Sequence, residues 1–165
     1  MSEATTPTTP TTNAIKERAS SYGTVYKIMS DTAEKYTGRS VLQLTNIVDA
    51  LKQEGNNAYK ADKNFPISYY ETVSGILIKW FWNGFEGVPK QTLNSLFREM
   101  WVFHRYYLMK ETMTDADWTK FVDQAKDRGL YHHDADGKVT EDKPKYVRLF
   151  YDAIMHDMDE MYRSR

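Results

Sequence analysis

The densest set of side chains able to do chemistry lies at residues 132–143, HHDADGKVTEDK. Asp134 and Asp136 lead into a turn at Gly137, and carboxylates spaced two apart can turn their oxygens toward one hard cation. Calcium asks for six to eight oxygens, and this segment places a histidine, His132, and a lysine, Lys143, where strong oxygen donors are needed. A polar turn is therefore the expected reading, with Asp134 and Asp136 as weak metal candidates. His132 and His133 are adjacent, so in an extended chain they point to opposite sides and do not converge on one ion. Asp152, His156 and Glu160 step by four and share one helix face, but that face lies opposite an apolar stripe and should meet water. No serine, histidine or acid sits in a nucleophile elbow, a phosphate loop or a zinc-protease helix. The expectation is a protein that is not an enzyme and needs no cofactor.

Two stretches resemble known motifs. With Gly137 at the sixth position, residues 132–143 resemble an EF-hand calcium loop: Asp134 and Asp136 fall third and fifth, Val139 eighth and Thr140 ninth. His132 and Lys143 occupy the first and twelfth positions, so the loop would be degenerate. The stretch EGVPKQTLNSLFREM, residues 86–100, resembles the recognition-helix half of a helix-turn-helix. Gly87 stands as the turn glycine, Leu93 and Leu96 as the core side, and Lys90, Gln91, Asn94 and Arg98 as the groove-facing side. Asn83 and Gly84 depart from that pattern, because they break the preceding helix where the two helices should cross. A DNA-binding regulator using residues 87–98 is accordingly an alternative. The plainer reading is a helix start with a polar outer face.

Aromatic residues are in surplus. Twelve Tyr, seven Phe, four Trp and eight Met concentrate in 69–109 and 146–162. Tyr and Trp offer large contact area with a polar tip and are enriched at interfaces; a small bundle filling its own core would also use them. Trp80, Phe81, Trp82, Phe85, Trp101, Phe103 and Tyr106 are the expected interface anchors, because the two central helices are apolar over more of their circumference than a small bundle covers.

The elements that must carry these residues follow from periodicity. Ile15, Ala19, Tyr22, Tyr26, Met29, Ala33 and Tyr36 step by four and three, a heptad-like seam ended by Gly38. Gly23 inside it implies a kink or a close helix contact. A second helix is expected from a capping box at Ser40 and Gln43 to a stop at Gly55, with NNAYKADKNFP as a loop. A third runs from Ser68 to about Trp82. A fourth follows Pro89 with Leu93, Leu96, Phe97, Met100, His104, Tyr107 and Leu108 on one face. A fifth begins after Thr114, with Asp117 as its capping acid, and ends at Gly129. The last starts near Pro144 and buries Val147, Tyr151, Ile154, Met158 and Met161. The fold class is all-α: a compact bundle of about six helices, a short loop or hairpin near 130–142, and an extended Thr/Pro-rich arm over residues 1–13 ahead of a single helical domain, 14–165.

The bulk composition sets limits. The chain has 165 residues, a net charge of −1 and no cysteine. Disulfides, thiolate nucleophiles and cysteine metal sites are thereby excluded, and the composition fits a cytoplasmic protein. No segment is strongly basic (+2 over residues 14–63 is the largest excess), which disfavours nucleic acid as partner. The N-terminus lacks a signal-peptide pattern, and the longest apolar run, GILIKWFW, is too short for a bilayer. The functional expectation is a helical protein that binds another protein or its own copies, as adaptor, inhibitor or assembly component. Such a small chain also suits a phage or mobile element.

Overall fold

The computed structural model describes residues 12–36, 45–82, 90–129, 132–133, 139–140 and 145–163. Among these are six helices: α1 (Thr12–Tyr36), α2 (Ile47–Ala61), α3 (Ile67–Trp82), α4 (Lys90–Leu108), α5 (Asp115–Gly129) and α6 (Lys145–Arg163). Two short strands, β1 (His132–His133) and β2 (Val139–Thr140), pair antiparallel with His132 opposite Thr140. The fold is an all-α bundle. The Thr/Pro arm up to Thr11, together with Gly38, Ser40, Val41, Gln43 and Leu44, lies outside the described residues.

All seven positions of the α1 seam are buried, and so are the seven apolar-face positions of α4. The two seams meet: α1 packs chiefly on α4, α3 packs on α6, α5 on α6, and α2 on α3. Buried aromatic rings join the helices. Tyr36 meets Phe81 (6.4 Å between ring centres), Trp80 meets Phe150 (6.2 Å), Phe97 meets Phe150 (5.6 Å), and Phe103 stacks on Phe121 at 5.3 Å with an interplanar angle of 10°. Such pairs add about 0.5–1.5 kcal/mol each beyond their buried area. The ends are tied by polar groups. Thr114 and Asp117 form a reciprocal capping box at the start of α5: the Thr114 N–H donates to Asp117 Oδ2 (3.0 Å) and the Asp117 N–H to Thr114 Oγ1 (3.1 Å). The Thr114 N–H, first of all, holds the Asp117 carboxyl below its usual range.

The second helix departs from the sequence expectation at both ends. Thr45 and Asn46 form a turn, so the described helix opens at Ile47. It then runs past Gly55 into the segment expected to be a loop, and closes at Asp62, whose N–H bonds the Ala58 carbonyl. Gly55 is buried in mid-helix because the Tyr70 ring lies against it: a Cβ there would sit 2.4 Å from Tyr70 Cε2. The glycine serves a close approach, not a helix end. Asp62 is the actual stop, its Oδ1 accepting the Asn64 N–H (3.0 Å) and its Oδ2 the Ser21 hydroxyl (2.5 Å).

Candidate functional site

At the centre of the bundle lies a polar network that no motif announced. His104 on α4 is fully buried, and its Nδ1 is 2.9 Å from Tyr26 Oη, which is 2.6 Å from Tyr69 Oη. On its other side Nε2 stands 3.8 Å from Asp157 Oδ2 on α6, and Tyr22 Oη donates to that same oxygen at 2.6 Å. Burial, then the Arg18 charge, pushes the imidazole down to about 3. Burial raises Asp157 to about 6, against the opposing hydrogen bond from Tyr22. The 3.8 Å contact is therefore a neutral imidazole beside a carboxylate at neutral pH, not an ion pair. Burial likewise drives Tyr22, Tyr26 and Tyr69 far above the ordinary phenol range. Periodicity placed His104 on the apolar face; its partners come from α1, α3 and α6, and no local spacing reveals them.

Arg18 closes the network at the end of α4. Its Nη2 donates to the carbonyls of Leu108 and Lys110, and Tyr162 Oη donates to Lys110 O at 2.9 Å. The Leu108 carbonyl is among those a helix leaves without internal partners at its C-terminus, where a cation is also favoured by the helix dipole, and Lys110 lies two residues past that end.

Two of the surface concavities bear on function. The first is a trough of about 420 Å³ between α2 and α3, with Val48, Leu51, Ile67, Tyr70 and Ile78 as apolar walls. Gly55, Ser74 and Gly75 also line it, with Lys52 and Glu71 among its polar residues. Gly75 differs from the other described helix-interior glycines. Gly23 seats the indole of Trp101 and Gly55 the ring of Tyr70, whereas a Cβ on Gly75 would meet nothing within 4 Å. The second is a cleft of about 390 Å³ between α1 and α4, lined by Gly23, Tyr26, Lys27, Ser30, Asn94, Phe97, Arg98 and Trp101. His104 lines neither.

The expected interface anchors separate. Trp80, Phe81 and Phe103 are each under 5% exposed and belong to the core, because each makes ring contacts or core packing inside the chain. Trp82 (43%) and Tyr106 (54%) are exposed, as is Val102 (62%), one turn before Tyr106. Trp101 is half-buried, and Phe85 lies outside the described residues. Most described aromatics therefore fill the core, which accounts for the surplus that pointed to an interface.

Of the groove-facing set, Lys90 and Gln91 lie on the first turn of α4, Asn94 is half-buried in the cleft beside α1, and Arg98 is exposed. Within the calcium-loop-like segment His132 pairs with Thr140 and His133 with Val139, and Asp134 and Asp136 lie outside the described residues. His156 Nε2 lies 3.3 Å from Glu160 Oε1 on the exposed face of α6, and Arg148 is 4.0 Å from Asp152. Among the described residues no group of three or more histidines or acids is placed to hold a metal, and no helix is long and apolar enough to cross a membrane. Comparison with protein-family models, with curated proteins and with solved structures finds no match to this chain, so its own geometry carries the functional reading.

Proposed function

We propose that the chain is a non-enzymatic binding protein whose α2–α3 trough takes the apolar face of a partner's helix. One observation carries this: Gly75. A glycine inside a helix costs about 1 kcal/mol relative to alanine, and here no internal contact calls for it. It lies in the trough beside the small residue Ser74, where lack of a side chain lets another backbone approach. The volume falls within the ~300–1,000 Å³ range of ligand sites, and apolar walls with a small-residue floor suit a helix whose anchors recur at i, i+3, i+4 and i+7. Lys52 and Glu71 offer both charge signs to the polar edge of such a helix. The buried network plays a structural part in this reading, holding α1, α3, α4 and α6 together.

The test is selection of displayed helical peptides on the wild-type protein, followed by direct affinity measurement on Gly75→Leu. A Cβ at this position meets nothing within 4 Å, so leucine enters at the trough, and thermal stability should hold or rise. Peptides with the spaced apolar anchors should lose at least tenfold in affinity. Enrichment of no such peptide, or equal binding to Gly75→Leu, would refute the trough as the docking site.

A further inference from the structure

The α1–α4 cleft has a chemistry unlike that of the trough. Two cations border it, Lys27 from α1 and Arg98 from α4, with the hydroxyl of Ser30 and the amide of Asn94, and no carboxylate is among its lining residues. Among the described residues none of these four side chains makes a hydrogen bond or ion pair, and neither does the indole N–H of Trp101. Five unengaged polar groups thus converge on one concavity.

The aromatic wall is built into the helix packing. Trp101 lies across Gly23, where a Cβ would come within 3.2 Å of indole Cζ2, and it sits 5.2 Å from the ring of Tyr26 at a 36° tilt. The absent side chain at Gly23 lets the indole settle on α1, and its half-exposed surface is left bordering the cleft.

We propose that this cleft binds a phosphate-bearing planar ring, the chemistry of a nucleotide. Arg98 supplies a planar fork matched to phosphate oxygens and Lys27 a mobile point charge. Trp101 supplies a stacking face for a base, an interaction that tolerates any base identity. Asn94 and Ser30 can both donate and accept, and so can read a base edge or a ribose hydroxyl. The cleft volume of about 390 Å³ is of ligand size. The ring and phosphate could arrive as a free nucleotide or as part of a single strand.

Calorimetry with ATP and anisotropy with a fluorescein-labelled dT12 strand test this on the full chain, with inorganic pyrophosphate as the ring-free comparison. The expected result is saturable ATP binding that weakens at least tenfold in the Lys27→Ala/Arg98→Ala double variant. Both substitutions are on solvated side chains, so the fold should be retained. Trp101→Leu should weaken ATP and leave any pyrophosphate binding unchanged. Comparable affinity for ATP and dT12 would assign a free nucleotide; dT12 tighter by tenfold or more would assign a strand. Absence of binding by both probes at millimolar concentration would overturn the proposal. Undiminished binding by the double variant, or pyrophosphate as tight as ATP, would overturn it as well. Gly75→Leu should leave all these affinities unchanged, which keeps this site's outcome separate from that of the trough.

Discussion

At the scale of single residues, His104 and Asp157 respond to pH in opposite directions. The folded chain holds His104 at about 3 rather than 6.5, so as pH falls through about 6.5 the unfolded chain takes up a proton that the folded chain refuses. Stability is lost on acidification across that window. Asp157 is raised to about 6 from 3.8. Between those values the folded chain keeps a proton that the unfolded chain releases, so acidification there adds stability. The slopes offset each other from about pH 6 to about 3.8. Asp157→Asn removes one of them and leaves an amide oxygen to accept the Tyr22 hydroxyl. Urea unfolding at a series of pH values should show its midpoint dropping more steeply than wild type below about pH 6; parallel curves would refute the assignment. Arg18 makes a second residue-scale prediction. Arg18→Met keeps much of the side-chain packing but removes the donor to the Leu108 carbonyl, while the Lys110 carbonyl keeps the Tyr162 hydroxyl, and a charge-assisted bond of this kind is worth about 1.5–3 kcal/mol. Chemical denaturation should show a loss of that order.

At the scale of elements, two of the three described helix-interior glycines, Gly23 and Gly55, seat an aromatic ring, and Gly75 does not. Gly55→Ala gains helix propensity but drives a Cβ to 2.4 Å from the Tyr70 ring. That ring cannot swing away, because its hydroxyl donates to the Leu51 carbonyl at 2.5 Å and Phe65 packs 5.3 Å from it. Overpacking of this kind costs about 1–3 kcal/mol. Gly75→Ala meets nothing and should stabilise by about 0.4–1 kcal/mol through the unfolded chain. Thermal unfolding of the two variants should shift in opposite directions. The same pair shows what the sequence could and could not convey. The seams of α1, α4 and α6 are repeats within one helix, so periodicity located them. Gly55 looked like a stop signal because glycine commonly ends helices, and only the partner residue Tyr70, fifteen positions away, explains why it does not. The candidate sites were less legible still. Asn94, Arg98 and Trp101 were singled out along α4, yet Lys27 and Ser30 were not, since the register that brings α1 beside them is set by tertiary packing. Arg18 and Asp157 went unnoticed for the same reason.

At the scale of the whole molecule, the aromatic surplus and the core are largely one feature. Apart from Ile15 and Ala19, the buried apolar residues described form a single cluster drawn from all six described helices, so unfolding should be one cooperative transition by both backbone and aromatic signals. Phe103 and Tyr106 separate the core part from any surface part. Phe103 touches the rings of Tyr107, Phe121 and Tyr151 and is 3% exposed. Tyr106, one turn on, is 54% exposed and meets Tyr107 edge-on, with Lys110 over its ring. A residue of the first kind, cut to alanine, loses about 3–5 kcal/mol; a surface residue of the second kind changes stability by about 0.5 kcal/mol or less. If the chain associates with its own copies, the Val102–Tyr106 ridge is where exposed apolar surface on α4 would serve it. Tyr106→Ala should then shift the mass measured by light scattering toward the monomer at unchanged stability, while Phe103→Ala should lower the unfolding midpoint first. A large stability loss in Tyr106→Ala would instead make the ridge part of the fold, and the trough would remain the apolar surface available to a partner.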